Sequence, residues 1–451
     1  VAGSAMLTLR HPHGNCGPGM VCGRSSGEWL AGSRALAGAA PAPIATRSGT
    51  RPAAPLALLA ALTAIGFCAL HMVIPVLPVL AAAFAESPAR VQPVLTFFLA
   101  GIGVGQLVYG PLSDRFGRRP VLLLGLVAFL GGTVLCGLAG SLPVLIFGRV
   151  LEALGACAGI VLSRAIIRDV YDREAAARGI ALVMMAMTLA PAVAPAFGAY
   201  LAEWLDWRAI FAVLGVLGAL VLGLTAVRLG ETNLNPAPLD LVGMMRSYRL
   251  LIGTPAFLGF AFASAFTTAS WFTFTASAPY LLSQLLHEPP STYGLMILLP
   301  MATYMLGNAA AARFTIGFGS LTLFAFGLAL SLAAGALMAL WCLFGGFGAW
   351  ALFVPIALSS VGNGLSQPPA MAAGLSIAPR IAGAASGLMG FLQMAAAALG
   401  SFVVGVLPHD SPLATIAVVG AYMALALVCG VFALRVSAAQ PSRVRKKGIA
   451  R

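Results

Sequence analysis

The chain is 451 residues long, 60% hydrophobic and only 9% charged, with a formal net charge of +13. A soluble domain carries roughly 25% charged residues, so this composition excludes a water-soluble fold and makes lipid the solvent for most of the chain. At roughly 20 residues per helix plus short connections, the apolar length fits about twelve spans and excludes a single anchor. No basic stretch is interleaved with stacking aromatics, so the positive charge reads as membrane-surface topology and not as nucleic-acid binding.

Residues 1–55 are Gly, Ala, Pro, Ser and Arg without periodicity, and the first residue is Val rather than Met. They read as a disordered extension, or as a wrongly assigned stretch ahead of the true start. The first apolar run begins at Leu56 and is too long for the core of a signal peptide. His11, His13, Cys16 and Cys22 lie in the extension, in a spacing that fits no standard zinc pattern, and no metal is expected. Cys68, Cys136, Cys157, Cys342 and Cys429 fall in apolar runs, where Cys behaves as a small hydrophobe.

Spans are predicted at about 57–82, 93–112, 120–140, 143–163, 178–201 and 208–228. Residues 56–228 are thus a first six-helix half. A polar connection at 229–253 holds Glu231, Asp240, Arg246 and Arg249. The second half, 254–435, has spans at about 254–282, 293–313, 320–343, 349–373, 383–407 and 412–435. Residues 436–451 form a basic tail with Arg443, Arg445, Lys446, Lys447 and Arg451. The expected fold is an all-α polytopic membrane protein, twelve transmembrane helices in two parallel halves.

Loop charge sets the orientation. Loops after even-numbered spans hold Arg115, Arg118 and Arg119, then Arg164, Arg168, Arg173 and Arg178, then Arg228, Arg246 and Arg249, then Arg313 and Arg380. Loops after odd-numbered spans hold only Arg90 and Arg208. This asymmetry places both termini in the cytoplasm.

The sharpest motif joins spans two and three: Gly110-Pro111-Leu112-Ser113-Asp114-Arg115-Phe116-Gly117-Arg118-Arg119-Pro120. Gly117 permits a left-handed or strained backbone. Arg118 and Arg119 anchor span three at the lipid surface. Asp114, an acid at a helix end facing a basic cluster, reads as a reversible latch between two bundles. A plain positive-inside anchor explains the arginines but not Asp114 or the paired glycines.

Here the chain resembles the major facilitator superfamily, whose signature in this loop is Gly-x-x-x-Asp-Arg-x-Gly-Arg-Arg. Gly110, Asp114, Arg115, Gly117, Arg118 and Arg119 all match it. The resemblance implies that the loop's charges stabilise one access state. Two further segments are similar to the Bcr/CflA branch of its drug:proton antiporters. Arg149-Val150-Leu151-Glu152-Ala153-Leu154-Gly155 resembles Arg-x-x-Gln-Gly/Ala-x-Gly, with Glu152 where Gln is usual. Ala190-Pro191-Ala192-Val193-Ala194-Pro195-Ala196-Phe197-Gly198 resembles Gly-Pro-x-x-Gly-Gly, with Ala in place of some Gly. Trp207-Arg208-Ala209-Ile210-Phe211 also resembles that branch's entry to span six. The resemblance covers about residues 56–435.

Arg149 and Glu152 are three apart and share one helix face within an apolar span. Burying either alone costs at least roughly 2.5–3.5 kcal/mol on insertion scales, so both are expected to face the bundle interior. Arg149 favours the ionised carboxylate and desolvation opposes it. Glu152 is therefore either an exchangeable proton site or half of a static ion pair. His71 stands in Ala69-Leu70-His71-Met72-Val73-Ile74-Pro75-Val76-Leu77-Pro78, which is similar to a segment where the branch commonly has Asp. Histidine titrates near neutral pH, so His71 is a proton or substrate group, or a structural one bonded to a carbonyl. Pro75 and Pro78 should kink span one and free backbone carbonyls. Pro191 and Pro195, with Gly198, bend span five; the resemblance makes this a gate against the other half, ordinary kinked packing being the alternative.

Gly101-Ile102-Gly103-Val104-Gly105 lies in an apolar run with no preceding strand, so it is not a nucleotide loop. Gly101/Gly105, Gly155/Gly159 and Gly383/Gly387 read as small-residue helix contacts. There is no Walker-type loop, so ATP is not expected as the driver. Trp271, Phe272, Phe274, Tyr280, Tyr304, Asn308, Asn363, Gln367 and Gln393 are candidates to line an apolar pocket with a few polar handles.

The expectation is a monomeric carrier in the bacterial inner membrane. It exports small hydrophobic drug-like compounds in exchange for protons by alternating access, driven by the proton gradient without cofactor or enzyme chemistry. A proton-coupled nutrient symporter on the same scaffold is the alternative. An intramembrane prenyl or acyl transferase would need clustered Asp, His or Glu at a membrane face, and this chain has too few.

Overall fold

The computed structural model describes residues 54–234, 240–407 and 411–439. The candidates His11, His13, Cys16 and Cys22, and the basic residues from Arg443 to Arg451, lie outside them. Twelve helices among the described residues are long and apolar enough to cross a membrane. In the first half these are spans one to six: Leu56–Phe84, Pro88–Phe116, Arg118–Gly137, Leu142–Val170, Glu174–Trp204 and Arg208–Arg228. Spans seven to twelve are Pro255–Leu285, Pro290–Phe318, Ser320–Phe344, Ala349–Ile377, Pro379–Val406 and Pro412–Ala438. Hydrocarbon offers backbone amides no partner, so each apolar run closes its own hydrogen bonds as a helix.

The spans match the predicted order but run longer at their ends. Arg164 and Arg168 lie on the last turns of span four, Arg178 on the first turns of span five and Arg313 near the end of span eight, not in loops. Arg208 opens span six, and Arg90 sits in the short helix Pro88–Val91 that begins span two. Long cationic side chains can extend from a helix to the interface, so the helices carry these charges past the apolar core. The polar connection also holds a helix, Leu241–Ile252, whose first turn is capped by Asp240 accepting from Gly243 N at 2.7 Å.

Span one is broken. An α-helix over Leu56–His71 gives way to a 3-10 turn at Ile74–Val76 and resumes at Leu77–Phe84. Pro75 and Pro78 supply no N–H, so the ladder cannot continue through them. Spans one, four, seven and ten are the most buried of the twelve. That period of three recurs in both halves and makes these four the inner helices.

A continuous apolar core joins the halves, with Leu77 and Phe98 from the first and Phe274 and Phe353 from the second. Span eleven packs along span two, and span eight's first turns pack on span five. Among the described residues, every side-chain hydrogen bond between the halves lies at the end far from the 110–120 turn. Gln92 Nε2 donates to Ser401 Oγ at 2.8 Å, Thr96 Oγ1 lies 3.1 Å from the same oxygen, and Ser291 N donates to Glu203 at 2.6 Å. The far end is therefore the closed one.

Candidate functional site

In the first half, spans three and four meet at backbone distance. Gly132 and Gly155 make this possible, since a Cβ at either would overlap the facing helix backbone. The close approach carries Thr133 to Glu152. Glu152 is fully buried, as is Arg149. Arg149 Nη1 donates to Glu152 Oε2 at 2.6 Å and to Ala69 O at 3.0 Å. Thr133 Oγ1 lies 3.0 Å from Glu152 Oε1 and 2.8 Å from Phe129 O. Arg149 Nε and Nη2 have no hydrogen-bond partner. The guanidinium instead stacks 3.8 Å from the centroid of the Phe98 ring, whose negative face suits a desolvated cation. The pair thus couples span four to span three, to span two and to the carbonyl just ahead of the break in span one.

His71 ends the first segment of span one and is buried. Its Nδ1 lies 2.9 Å from Phe67 O, so that nitrogen carries a hydrogen and donates it. The imidazole stands between Phe67, with ring centroids 6.2 Å apart, and Phe272 of span seven, at 6.3 Å. It therefore sits on the seam between the halves, two residues beyond the carbonyl held by Arg149. Pro191 and Pro195 lie inside the span-five helix. Gly198, one turn on, packs against Met72 at the break in span one so tightly that a Cβ would overlap its carbonyl. On the same stretch, Pro195 and Ala196 receive Gly294 of span eight. The proline stretch of span five thus touches both the break in its own half and the facing half.

The 110–120 turn is braced within one half. Gly117 adopts φ +95°, a region that favours glycine. Arg118 contacts Asp114 at 2.5 Å, Ser113 Oγ at 2.6 Å and Asp169 at 2.9 Å. Arg119 Nη2 donates to Ala226 O at the end of span six, at 2.8 Å. Arg115 is stacked 5.3 Å from the Phe116 ring, and a Cβ at Gly110 would meet open space. The expected inter-bundle latch is therefore an intra-half network in this state, and Arg118 and Arg119 bind protein groups. Glu231 completes it: its carboxylate accepts from Arg118 N at 2.9 Å and Arg119 N at 3.1 Å, capping the start of span three. Asn233 Nδ2 donates to Asp114 O at 2.7 Å, covering the end of span two.

The second half holds an uncharged counterpart. Ser264 of span seven donates to Gln367 Oε1 of span ten, and Gln393 Nε2 of span eleven donates to Ser264 Oγ at 2.7 Å. Gln367 Nε2 is 3.2 Å from both Thr268 Oγ1 and Ser264 O. The other candidates disperse. Asn363 accepts from Ser331 at 3.0 Å and fastens span nine to span ten. Tyr304 and Asn308 sit where span eight crosses Gly364 of span ten. Trp271 is half-buried beside Phe274, and Tyr280 lines a far-end cavity of about 610 Å3 with Tyr293, Pro78 and Pro279. A second, apolar groove of about 480 Å3 runs between spans one and five along Cys68, Met72, Leu189 and Phe197. Gly383 makes no close helix contact, unlike Gly101, Gly105, Gly155 and Gly159, while Gly387 approaches Gln106 O. The sequence does not single out Thr133, Ser264 and Gln106, although polar side chains inside a span need an internal partner; Glu231 lies beyond span six, and nothing in its spacing signals the cap it forms.

The model of the Major Facilitator Superfamily matches residues 56–268. Multidrug resistance protein D of Escherichia coli K12 is 32% identical over 338 residues, which cover 75% of this chain and 85% of that protein. The chain belongs to the major facilitator superfamily. As a member it is a multi-pass membrane transporter and not an enzyme. A bicyclomycin resistance protein homolog from Haemophilus influenzae is 28% identical over 351 residues, covering 77% of this chain and 87% of that one, and these relatives place the chain in the Bcr/CflA-type branch. The crystal structure of peptide transporter POT in complex with sulfate aligns with a TM-score of 0.70 over 85% of this chain and 94% of that one, at 15% identity, a likeness of fold alone.

Proposed function

We propose that the protein exports hydrophobic, drug-like compounds across the bacterial inner membrane in exchange for protons, by alternating access between its two halves. The observation that carries this reading is the buried Arg149–Glu152 pair, tied through Ala69 to the break in span one. A proton on Glu152 removes the counter-charge that Arg149 requires, and the guanidinium is left with Ala69 O and the Phe98 face. Such an uncompensated buried charge costs several kcal/mol, enough to drive a rearrangement of the packed spans. His71, at the inter-half seam, is the second proton candidate. Drug-resistance relatives support the direction of transport.

The arginines clustered at one end of the spans support a cytoplasmic side for the 110–120 turn and both termini. The far end, closed by Gln92 and Ser401, then faces outward and the conformation is inward-facing. The intra-half Arg118–Asp114–Asp169 network belongs to this state, and the turn re-pairs when the carrier switches. The proton gradient is the energy source and a single chain suffices.

Everted vesicles test the proposal: drug uptake should collapse when a protonophore dissipates the gradient, and uptake that survives would sink antiport. Glu152→Gln and His71→Ala, made separately, should show which site couples. The coupling variant loses gradient-driven uptake but keeps downhill exchange. Alkalinisation of the medium on adding a nutrient to whole cells would favour the symporter reading.

A further inference from the structure

We propose that the Gln393 amide, held by Ser264 and faced by Gln106 of the other half, is the polar anchor of the substrate site, and that this site takes uncharged, hydrogen-bonding lipophilic molecules in preference to cations. The proposal rests on the export reading above and names the substrate class for it.

Three observations converge. First, the cluster is internal. Spans seven and ten are mostly buried, yet Thr268 and Gln367 on them are half-exposed and bonded to each other at 3.2 Å, so the cluster joins two inner helices while keeping polar surface accessible. Second, the cluster has capacity to spare. Gln367 spends its oxygen on Ser264 and its nitrogen on Ser264 and Thr268. Gln393 spends one N–H on Ser264 Oγ, and among the described residues nothing donates to its Oε1, which is not a buried orphan. One acceptor and one N–H of Gln393 therefore remain for a ligand. Gln106 of span two lies against Gly390, one turn from Gln393, where a Cβ would overlap its oxygen. No described residue bonds the Gln106 side chain either, so each half presents an amide at the same seam.

Third, the interior offers a cation no counter-charge. Glu152 is the one buried carboxylate among the described residues, and Arg149 and Thr133 occupy both its oxygens. His71 in span one, bonded through Nδ1 to Phe67 O, supplies no negative charge. Arg164, further along span four, is itself cationic and half-buried. A permanent cation entering here sheds water without gaining an ion pair. A neutral solute bearing a hydroxyl or amide exchanges its water for the paired donor and acceptor of Gln393.

The test is calorimetric titration of the purified carrier with two probes, chloramphenicol (uncharged, with hydroxyl and amide groups) and tetraphenylphosphonium (a permanent lipophilic cation). Wild type should bind the first at least tenfold more tightly. Gln393→Leu should weaken chloramphenicol tenfold or more. Gln393→Glu, which puts a carboxylate in place of the amide, should gain tetraphenylphosphonium binding; this gain does not depend on a loss of folding. Equal or tighter binding of the cation by wild type, or unchanged chloramphenicol binding in Gln393→Leu, overturns the proposal. If wild type binds neither probe, everted vesicles separate the failures: export of the cation alone overturns this proposal, and export of no drug overturns both readings.

Discussion

The two halves solve the burial of polar groups in opposite ways. The first half buries a charged pair, Arg149 and Glu152, with Arg149 short of two hydrogen-bond partners. The second holds neutral groups, a buried Ser264 and half-buried Gln367 and Gln393, linked by hydrogen bonds across three spans. A buried ion pair depends strongly on each partner, because removing one leaves a desolvated charge. A neutral network loses one bond at a time. The first arrangement suits a switch that one proton can throw. The second suits a site that must accept varied ligands without changing its own charge.

Stability measurements can break this contrast. Arg149→Leu or Glu152→Leu alone should cost about 3–5 kcal/mol, and the double variant should cost less than the sum. A double-mutant cycle by thermal unfolding in detergent reads this directly, and strict additivity would mean the pair is not coupled. Gln367→Leu should cost about 1–3 kcal/mol, the range for orphaning neutral partners. A loss as large as that at Glu152 would erase the distinction between the halves.

Gly198→Leu forces a side chain into the Met72 carbonyl. Overpacking of this kind costs about 1–3 kcal/mol, and here it should block transport because the contact lies at the break in span one and beside the seam. Vesicle uptake at matched expression measures it; normal uptake would remove span five from the gate. Glu231→Ala takes away the cap on span three and should cost about 1 kcal/mol. The same change should free the turn to re-pair, raising labelling of an added cysteine at Arg115. Smallest is Ser401→Ala, which removes two inter-half contacts at the far end. A net loss of about 1 kcal/mol shifts the inward-to-outward ratio roughly fivefold, visible as altered distance distributions between spin labels across the far-end seam.

Much of the architecture was legible in the chain. Hydropathy marks twelve spans because hydrocarbon accepts no other local structure from a run of apolar residues. Pro75 and Pro78 announced the break in span one, since proline removes a donor wherever it stands. Arg149 and Glu152 announced a shared face, because helical spacing alone sets which residues three apart are neighbours. Loop arginines gave the alternation of the spans, although several of those arginines ride on helix ends.

Choice of partner was decided by the tertiary structure. Asp114 reads as a latch to the other half, yet it meets Arg118 in its own helix pair, because Glu231 arrives from beyond span six to fix the turn. Asn363 and Gln393 look alike in the sequence as polar handles in apolar spans. One closes on Ser331 in packing, and the other reaches Ser264 and keeps an acceptor free. The twelve helices follow from local composition because each satisfies its own backbone. Their polar side chains cannot do so within one span. Each needs a group from another span, and only the packing of the helices brings that group within reach.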